Sequence, residues 1–205
     1  MSGISYVGDF NQQDPYTATS LDGGVTWQVL ARGLNSFTVL AIDPRQTATL
    51  YGAEGGDNLW RSADHGETWE PVGAGLPAPL PGKDRITALV VDPTDPQIVY
   101  AGTGGHGVYR SSDGGQTFAA FNSGLRNADV TTLILDPRRP GLLLAAAENT
   151  GVFRWQPAAG VWQPLDAGLP LRSGFSGTLA FDALNDLLYT STVPGIYRLA
   201  APDQP

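Results

Sequence analysis

An eight-residue sequence of the form Ser-x-Asp-x-Gly-x-Thr-aromatic constrains the fold of this chain more than any other feature. It occurs at residues 20–27, 62–69 and 111–118, and a degenerate fourth copy spans 155–162 with Pro157 in the aspartate position. We call these segments box turns. A Gly-Leu pair follows every copy at the same offset: Gly33-Leu34, Gly75-Leu76, Gly124-Leu125 and Gly168-Leu169. Repetition with a period of about 40 to 50 residues is typical of repeat architectures.

Apolar strands occupy constant places between the box turns. A strand that in most units ends in Asp-Pro comes first, then a second apolar strand, then a strand with an aromatic-Arg pair, and a fourth strand follows the box turn. The chain also contains 26 glycines and 16 prolines, which disfavour helices of ordinary length. The sequence therefore predicts an all-β fold, a β-propeller built from four-stranded antiparallel blades.

The repeat divides a single propeller domain over residues 1–205 into units at about 4–33, 34–75, 76–124, 125–168 and 169–200. About five blades are expected, and the first and last are incomplete. Incomplete blades leave unpaired strand edges, which favour association. Three arrangements stay open: a ring that closes within the chain, a piece of a larger propeller, and a homo-oligomer that completes the ring.

The box turn resembles the Asp-box, or BNR (bacterial neuraminidase repeat). The surrounding strands are similar to the WD40/YVTN-like repeats of sortilin-type, xyloglucanase-type and photosystem-assembly-factor-type proteins. The resemblance covers nearly the whole chain and implies the propeller fold. It leaves function open, because such repeats occur in sialidases, xyloglucanases, sorting receptors and assembly factors. It also implies an extracellular or periplasmic location. The cytoplasm stays an alternative, since the sequence shows no signal peptide or membrane span.

In the family, the box hairpin lies at the blade periphery, away from the ligand face. The Asp side chain can accept backbone N–H groups of its own turn, and the Gly can adopt a positive φ. The turn is also shorter than a calcium loop and has too few oxygen ligands in series. We therefore expect a structural role for Ser20, Asp22, Gly24, Trp27, Ser62, Asp64, Gly66, Trp69, Ser111, Asp113, Gly115 and Phe118.

Charge and residue usage exclude several function classes. The net charge of −8 makes nucleic acid an improbable partner. The absence of cysteine and the presence of only His65 and His106 argue against a metal site, and no cofactor is expected. The aromatic-Arg pairs do not match the sialidase motif aromatic-Arg-Ile-Pro, so we expect them to bond a box turn or a neighbouring blade. They are Trp60-Arg61, Tyr109-Arg110, Phe153-Arg154 and Tyr197-Arg198.

The family resemblance places ligands at the channel mouth, on the face formed by the loops between blades and the loops joining second to third strands. Arg85, Arg126 and Arg172 lie in successive loops between blades, and Asn35 and His106 belong to the same face. A converging ring of arginines would suit a carboxylate ligand or an acidic partner loop. The alternative is that these are ordinary solvated loop arginines.

Four carboxylates fall on this face: Glu54, Asp84, Asp129 and Glu148. Glycosidases need two carboxyl groups, so these residues are weak catalytic candidates. No spacing selects one pair, and surface loops collect acidic residues by default.

The leading hypothesis is therefore a noncatalytic binding or scaffold module for a protein or carbohydrate partner. A glycoside hydrolase that uses loop carboxylates, and an assembly factor that holds an acidic partner with an arginine patch, are the alternatives.

Overall fold

The computed structural model describes residues 16–32, 37–54, 58–82, 86–125, 129–136, 138–139, 141–165, 177–182, 184–185, 187–192 and 195–199. These residues form seventeen β-strands and no α-helix, and so offer no helical span for a membrane. In chain order the strands are β1 (Tyr16–Thr19), β2 (Gln28–Arg32), β3 (Phe37–Ile42), β4 (Leu50–Glu54), β5 (Asn58–Ser62), β6 (Glu70–Val72), β7 (Ala88–Val91), β8 (Val99–Thr103), β9 (Gly107–Ser111), β10 (Ala119–Ala120), β11 (Val130–Leu135), β12 (Leu143–Ala147), β13 (Gly151–Gln156), β14 (Val161–Pro164), β15 (Thr178–Asp182), β16 (Leu187–Thr192) and β17 (Gly195–Leu199).

The strands form five antiparallel sheets in which each strand pairs with its neighbour in sequence. Three sheets have four strands, namely β3 to β6, β7 to β10 and β11 to β14. They are flanked by the pair β1–β2 and the three-stranded sheet β15–β17. The first strands of successive sheets lie side by side, β3 next to β7, β7 next to β11 and β11 next to β15. The prediction of an all-β propeller with incomplete first and last blades is confirmed. We number the blades 1 to 5 in chain order.

The hydrophobic core lies between blades rather than within them. The second strand of each complete blade is buried on both faces, as β8 and β12 show over their full lengths. In β12, Leu143 and Ala145 pack toward blade 3, while Leu144 and Ala146 pack toward blade 5. Alternating side chains of one strand thus enter two different cores. Charged residues make up only 16% of the chain, compared with about 25% in typical soluble domains. The arrangement explains this low fraction, because so much of each sheet is covered by its neighbours.

Backbone hydrogen bonds join adjacent blades at the Gly-Leu segments. After β6, the Gly73 N–H donates to the Gly115 carbonyl oxygen at 3.0 Å, and the Phe118 N–H donates to Ala74 at 2.8 Å. At the next boundary, the Trp162 N–H donates to Ser123 at 2.7 Å. The segment that leaves one blade therefore pairs with the start of the fourth strand in the next.

The glycine of the Gly-Leu pair is required by this contact. Gly75 has φ +84 and Gly124 has φ +87, a backbone region that disfavours residues with a Cβ. A Cβ on Gly75 would also collide with the backbone oxygen of Phe118, and one on Gly124 with that of Trp162. At the two blade boundaries where the structure describes it, the repeated Gly is therefore required by the close approach of one blade to the next.

Replacing Gly75 by Ala should destabilise the protein more than replacing Gly82 by Ala. Gly82 has φ +74, and no atom lies within 4 Å of the place that a Cβ would take, so its substitution costs only the left-handed backbone, about 1–2 kcal/mol. G75A adds a steric conflict of about 1–3 kcal/mol. Urea unfolding of both variants measures the difference. Equal losses in the free energy of unfolding would show that the contact between blades does not need glycine.

Candidate functional site

The box turns at residues 20–27, 62–69 and 111–118 close through the same set of hydrogen bonds. In the second, the Thr68 N–H donates to one Asp64 oxygen at 2.9 Å and the Thr68 hydroxyl donates to the other. The Ser62 hydroxyl donates to Asp64 at 2.7 Å and accepts from the Gly66 N–H at 2.9 Å. Gly66 has φ 92, and His65 before it also has a positive φ of 62. The carboxylate is thus fully engaged inside its own turn.

This bonding holds the pKa of the box aspartates well below the usual range. The Thr hydroxyl contributes most, followed by the Thr N–H and the Ser hydroxyl, and together they lower the pKa of Asp22, Asp64 and Asp113 to about 2. A general acid or base needs a pKa near the working pH. The box aspartates are therefore unsuited to proton transfer.

Replacing Asp64 by Asn should lower the melting temperature at pH 7 by more than it does near pH 2. An Asp with a folded pKa of about 2 and an unfolded pKa of about 3.9 stabilises the fold above about pH 4, and the contribution disappears as the pH falls through 2. Thermal unfolding between pH 7 and 2 tests this. E67Q, an exposed charge in the same turn, is the control. A deficit for D64N that does not change with pH would contradict the prediction.

The aromatic-Arg pair of blade 2 serves its own blade. Arg61 forms an ion pair with Glu70 at 3.0 Å across β5 and β6, and it also lies against Tyr51, its partner on β4. The expectation that Arg61 bonds a box turn or a neighbouring blade is therefore wrong. Tyr51 makes that connection instead, because its hydroxyl donates to the carbonyl oxygen of Gly114 in the next blade's box turn at 2.9 Å.

Glu54 is one of the carboxylate candidates that the structure describes, and it lies in a fully buried strand. It ends β4, is 7% exposed and accepts a hydrogen bond from the Trp60 indole N–H at 2.7 Å. This partner fixes the Glu54 side chain against its own blade. The contact gives Glu54 a structural task that needs no ligand.

Three other candidates lie in adjoining loops of blades 3 and 4, on the face that the sequence analysis assigns to ligands. Asp129 lies directly before β11 and Glu148 directly after β12, and the Glu148 N–H donates to the Asp129 carbonyl oxygen at 2.8 Å. Gly104 of blade 3 forms a β-bridge with Asp129, and His106 follows two residues later in the same loop. We call His106, Asp129 and Glu148 the mouth cluster.

The loop that carries His106 is held by a residue that sequence reasoning missed. The Asn122 side-chain amide donates to the His106 carbonyl oxygen at 2.9 Å and accepts from the Val108 N–H at 2.6 Å. Gly107 has φ +80, and a Cβ there would overlap Asn122. His106 Nε2 is buried and has no hydrogen-bond partner among the described residues. Asn122 is absent from the repeat pattern, so no periodic signal could have indicated it.

The other predicted site residues lie outside the described residues. These are Asn35, Asp84, Arg85, Arg126 and Arg172. Convergence of the three arginines therefore stays a prediction. Among the residues that the structure describes, no group of three or more acidic or histidine side chains is arranged to hold a metal ion.

Comparisons with known proteins agree with this architecture. A xyloglucanase from a Paenibacillus species is 37% identical over 78 residues, which is 33% of this chain and 8% of that enzyme. The GH74 enzyme of Niastella koreensis matches 91% of this chain and 34% of its own with a TM-score of 0.67 and 18% identity. YCF48 bound to a D1 peptide matches 90% of this chain and 58% of its own with a TM-score of 0.62 and 18% identity. No protein-family model matches.

The chain is a β-propeller repeat protein. It spans 8%, 34% and 58% of the lengths of these three proteins. The fold is common to the two solved structures, and their different names show that the fold alone does not select one function. The residues of the mouth cluster are therefore the basis for a proposed function.

Proposed function

We propose that this propeller is a noncatalytic binding or scaffold module that recognises a protein or carbohydrate partner through its channel-mouth face. The observation that carries the proposal is the mouth cluster, in which the loops of His106, Asp129 and Glu148 are joined by backbone contacts across two blades. Hydrogen-bonding side chains of this kind suit both peptide groups and sugar hydroxyls.

The backbone around the mouth cluster supports a binding role. The bridge of Gly104 to Asp129 and the side-chain clamp of Asn122 hold the loop ends in one arrangement before any partner arrives. A surface that is ordered in advance loses less conformational entropy on binding. The similarity to YCF48 bound to a D1 peptide and to GH74 enzymes supports a protein or glycan as the class of partner.

A glycoside hydrolase is the second candidate, and one observation favours it. Asp129 and Glu148 face each other where β11 and β12 meet, and the Cβ atoms of paired residues lie about 4.5–5.5 Å apart. From that spacing, rotation of the two side chains can reach the carboxyl separation of about 5–5.5 Å that retaining glycosidases use. The partial identity to a xyloglucanase supports a test with xyloglucan.

D129N and E148Q distinguish the two candidates when glycan binding and reducing-sugar release are measured on the same samples. For a binding module we expect no sugar release by the unmutated chain. We also expect retention on a glycan array, or capture by a partner peptide, to fall about tenfold in each variant. E54Q keeps an acceptor for Trp60 and is the control, expected to bind normally. Sugar release from xyloglucan that disappears in both variants would establish the hydrolase instead.

The assembly-factor alternative depends on Arg85, Arg126 and Arg172. Their positions in successive loops between blades, on a chain with a net charge of −8, support an interaction with an acidic partner. Replacing all three by Ala would then abolish capture of an acidic peptide, whereas D129N alone would leave that capture unchanged. Unaltered capture would remove this alternative.

We also propose that a second copy of the chain associates with the incomplete blades. Ile196 of β17 precedes the Tyr197-Arg198 pair and is 79% exposed, whereas the residues at the same register in complete blades are 0% or 1% exposed. These residues are Leu59, Val108 and Val152. Trp27 of blade 1 is 39% exposed, although Trp162 at the same box position is 2% exposed. Inside the chain, these positions are buried by the face of a neighbouring blade. A blade of a second copy would cover Ile196 and Trp27 in the same way.

Sedimentation equilibrium should give a mass at least twice that of one 21.6 kDa chain. Ile196→Asp should shift the equilibrium to the monomer, because a charge in an apolar interface without a partner is costly. Leu184→Asp is the matched control, since Leu184 is exposed in a loop position that is also exposed in blades 2, 3 and 4. A monomeric mass for the unmutated chain at about 100 μM would contradict self-association.

A further inference from the structure

The outer edge of blade 5 differs from that of the complete blades. In blades 2, 3 and 4 the third strand pairs with a fourth strand, which is β6, β10 or β14. In the described part of blade 5, β17 is the last strand of its sheet and pairs with β16 alone. A strand at the edge of a sheet presents backbone N–H and C=O groups that can pair with another chain. The described edge of β17 therefore has a place for one more strand.

The register of the complete blades indicates which backbone groups of β17 face this place. In blade 3 the Phe121 N–H donates to the Val108 carbonyl oxygen at 2.8 Å, and in blade 4 the Leu165 N–H donates to that of Val152 at 2.7 Å. Both acceptors stand one residue before the aromatic-Arg pair, as Ile196 does in blade 5. A residue in a hydrogen-bonded antiparallel pair directs its N–H and its C=O to the same neighbour. By this register, the N–H and C=O of Ile196 point to the open edge.

The next position of the third strand tolerates a proline in the strand opposite. Trp60 pairs with Pro71 in blade 2, and Phe153 pairs with Pro164 in blade 4. Proline has no N–H, so a ladder hydrogen bond from the fourth strand is not required at this position. An added strand on β17 can therefore carry a proline opposite Tyr197, and its hydrogen bonds fall on the residues to either side.

Arg198 supplies a charge that such an added strand would meet. It pairs with Tyr189 on β16, as Arg61 pairs with Tyr51 in blade 2. On its other side Arg61 forms an ion pair with Glu70 of β6 at 3.0 Å. Arg198 is exposed, and no described strand lies on that side of it. A carboxylate opposite Arg198 would repeat the charge pair that blade 2 forms within itself.

We propose that the edge of β17 binds an extended acidic segment of a partner protein, which adds to blade 5 as a fourth strand. Backbone hydrogen bonds to Ile196 supply affinity, and a carboxylate opposite Arg198 sets the register and selects the partner. Peptides are recognised in this way at the exposed edges of other sheets. The edge belongs to a different blade from the mouth cluster, so the inference goes beyond the function proposed above. It concerns a strand edge, whereas the self-association proposed above concerns a blade face.

A fourth strand of the chain itself supplies the probe. A peptide of residues 68–74, Thr-Trp-Glu-Pro-Val-Gly-Ala, contains β6 with Glu70 for the arginine position and Pro71 for the aromatic position. The peptide carries a fluorescein label, and its fluorescence anisotropy is measured as the full chain is added. We expect saturable binding with a Kd below about 1 mM.

Two substitutions test the charge pair as a double-mutant cycle. R198Q in the chain and Glu70→Gln in the peptide should each weaken binding about twofold to fivefold, because an exposed ion pair contributes little. Combined, they should weaken it no more than either one alone, since both remove the same interaction. R61Q is the matched control. It removes the same charge at the same register of blade 2, where the fourth strand is already in place, and should leave peptide binding unchanged.

Ile196→Pro tests the backbone hydrogen bonds. Proline removes the N–H that faces the open edge, and the pairing of β17 with β16 does not use that group. Peptide binding should fall at least about tenfold.

Absence of saturation up to about 2 mM of the chain would overturn the proposal. So would unchanged binding in Ile196→Pro, equal losses in R198Q and R61Q, or losses from R198Q and the peptide substitution that simply add. The melting temperature of each variant is measured in parallel, and if Ile196→Pro fails to fold, the charge cycle decides. A negative result here leaves the mouth-cluster proposal standing, because D129N and E148Q test that face separately.

Discussion

The structure depends on the close contact between the segment that leaves one blade and the box turn of the next. Backbone hydrogen bonds from Gly73 to Gly115 and from Phe118 to Ala74 fix the distance between blades 2 and 3. Phe118 is only 7% exposed at this contact. Because the backbones approach so closely, only glycine fits at position 75. The apolar cores form on either side of this connection, and each blade depends on its neighbours for burial.

This architecture determines where chemistry can occur. The box aspartates bond within their own turns, and Glu54 is bonded to Trp60, so these acids stabilise their blades. Other polar residues lie at loop ends, as His106, Asp129 and Glu148 do in the mouth cluster. The mouth cluster departs from strict repetition, because its loop is held by Asn122, which is absent from the repeat pattern.

Much of the fold could be predicted from the sequence, because the repeat is local. Box turns, strand order and the family of folds follow from residues that recur with fixed spacing, and the structure confirms the all-β propeller with incomplete end blades. The sequence predicts the mouth cluster only as separate residues. It assigns Asp129 and Glu148 to the same face, but their adjacency depends on the register of β11 against β12. Asn122 could not be predicted, because it does not belong to the repeat.

The sequence by itself determined the blade unit. Hydrogen bonds within a turn, as between Asp64 and Thr68, and the left-handed backbone of Gly66 need only residues that are close in the chain. The tertiary structure alone decided which side chains meet across strands and blades. Tyr51 reaches the next blade's turn, Arg61 pairs within its own blade, and Arg139 lies over the Phe181 ring of blade 5. These contacts depend on sheet register and on the spacing of blades. Such distances are set by packing, and a one-dimensional pattern does not contain them.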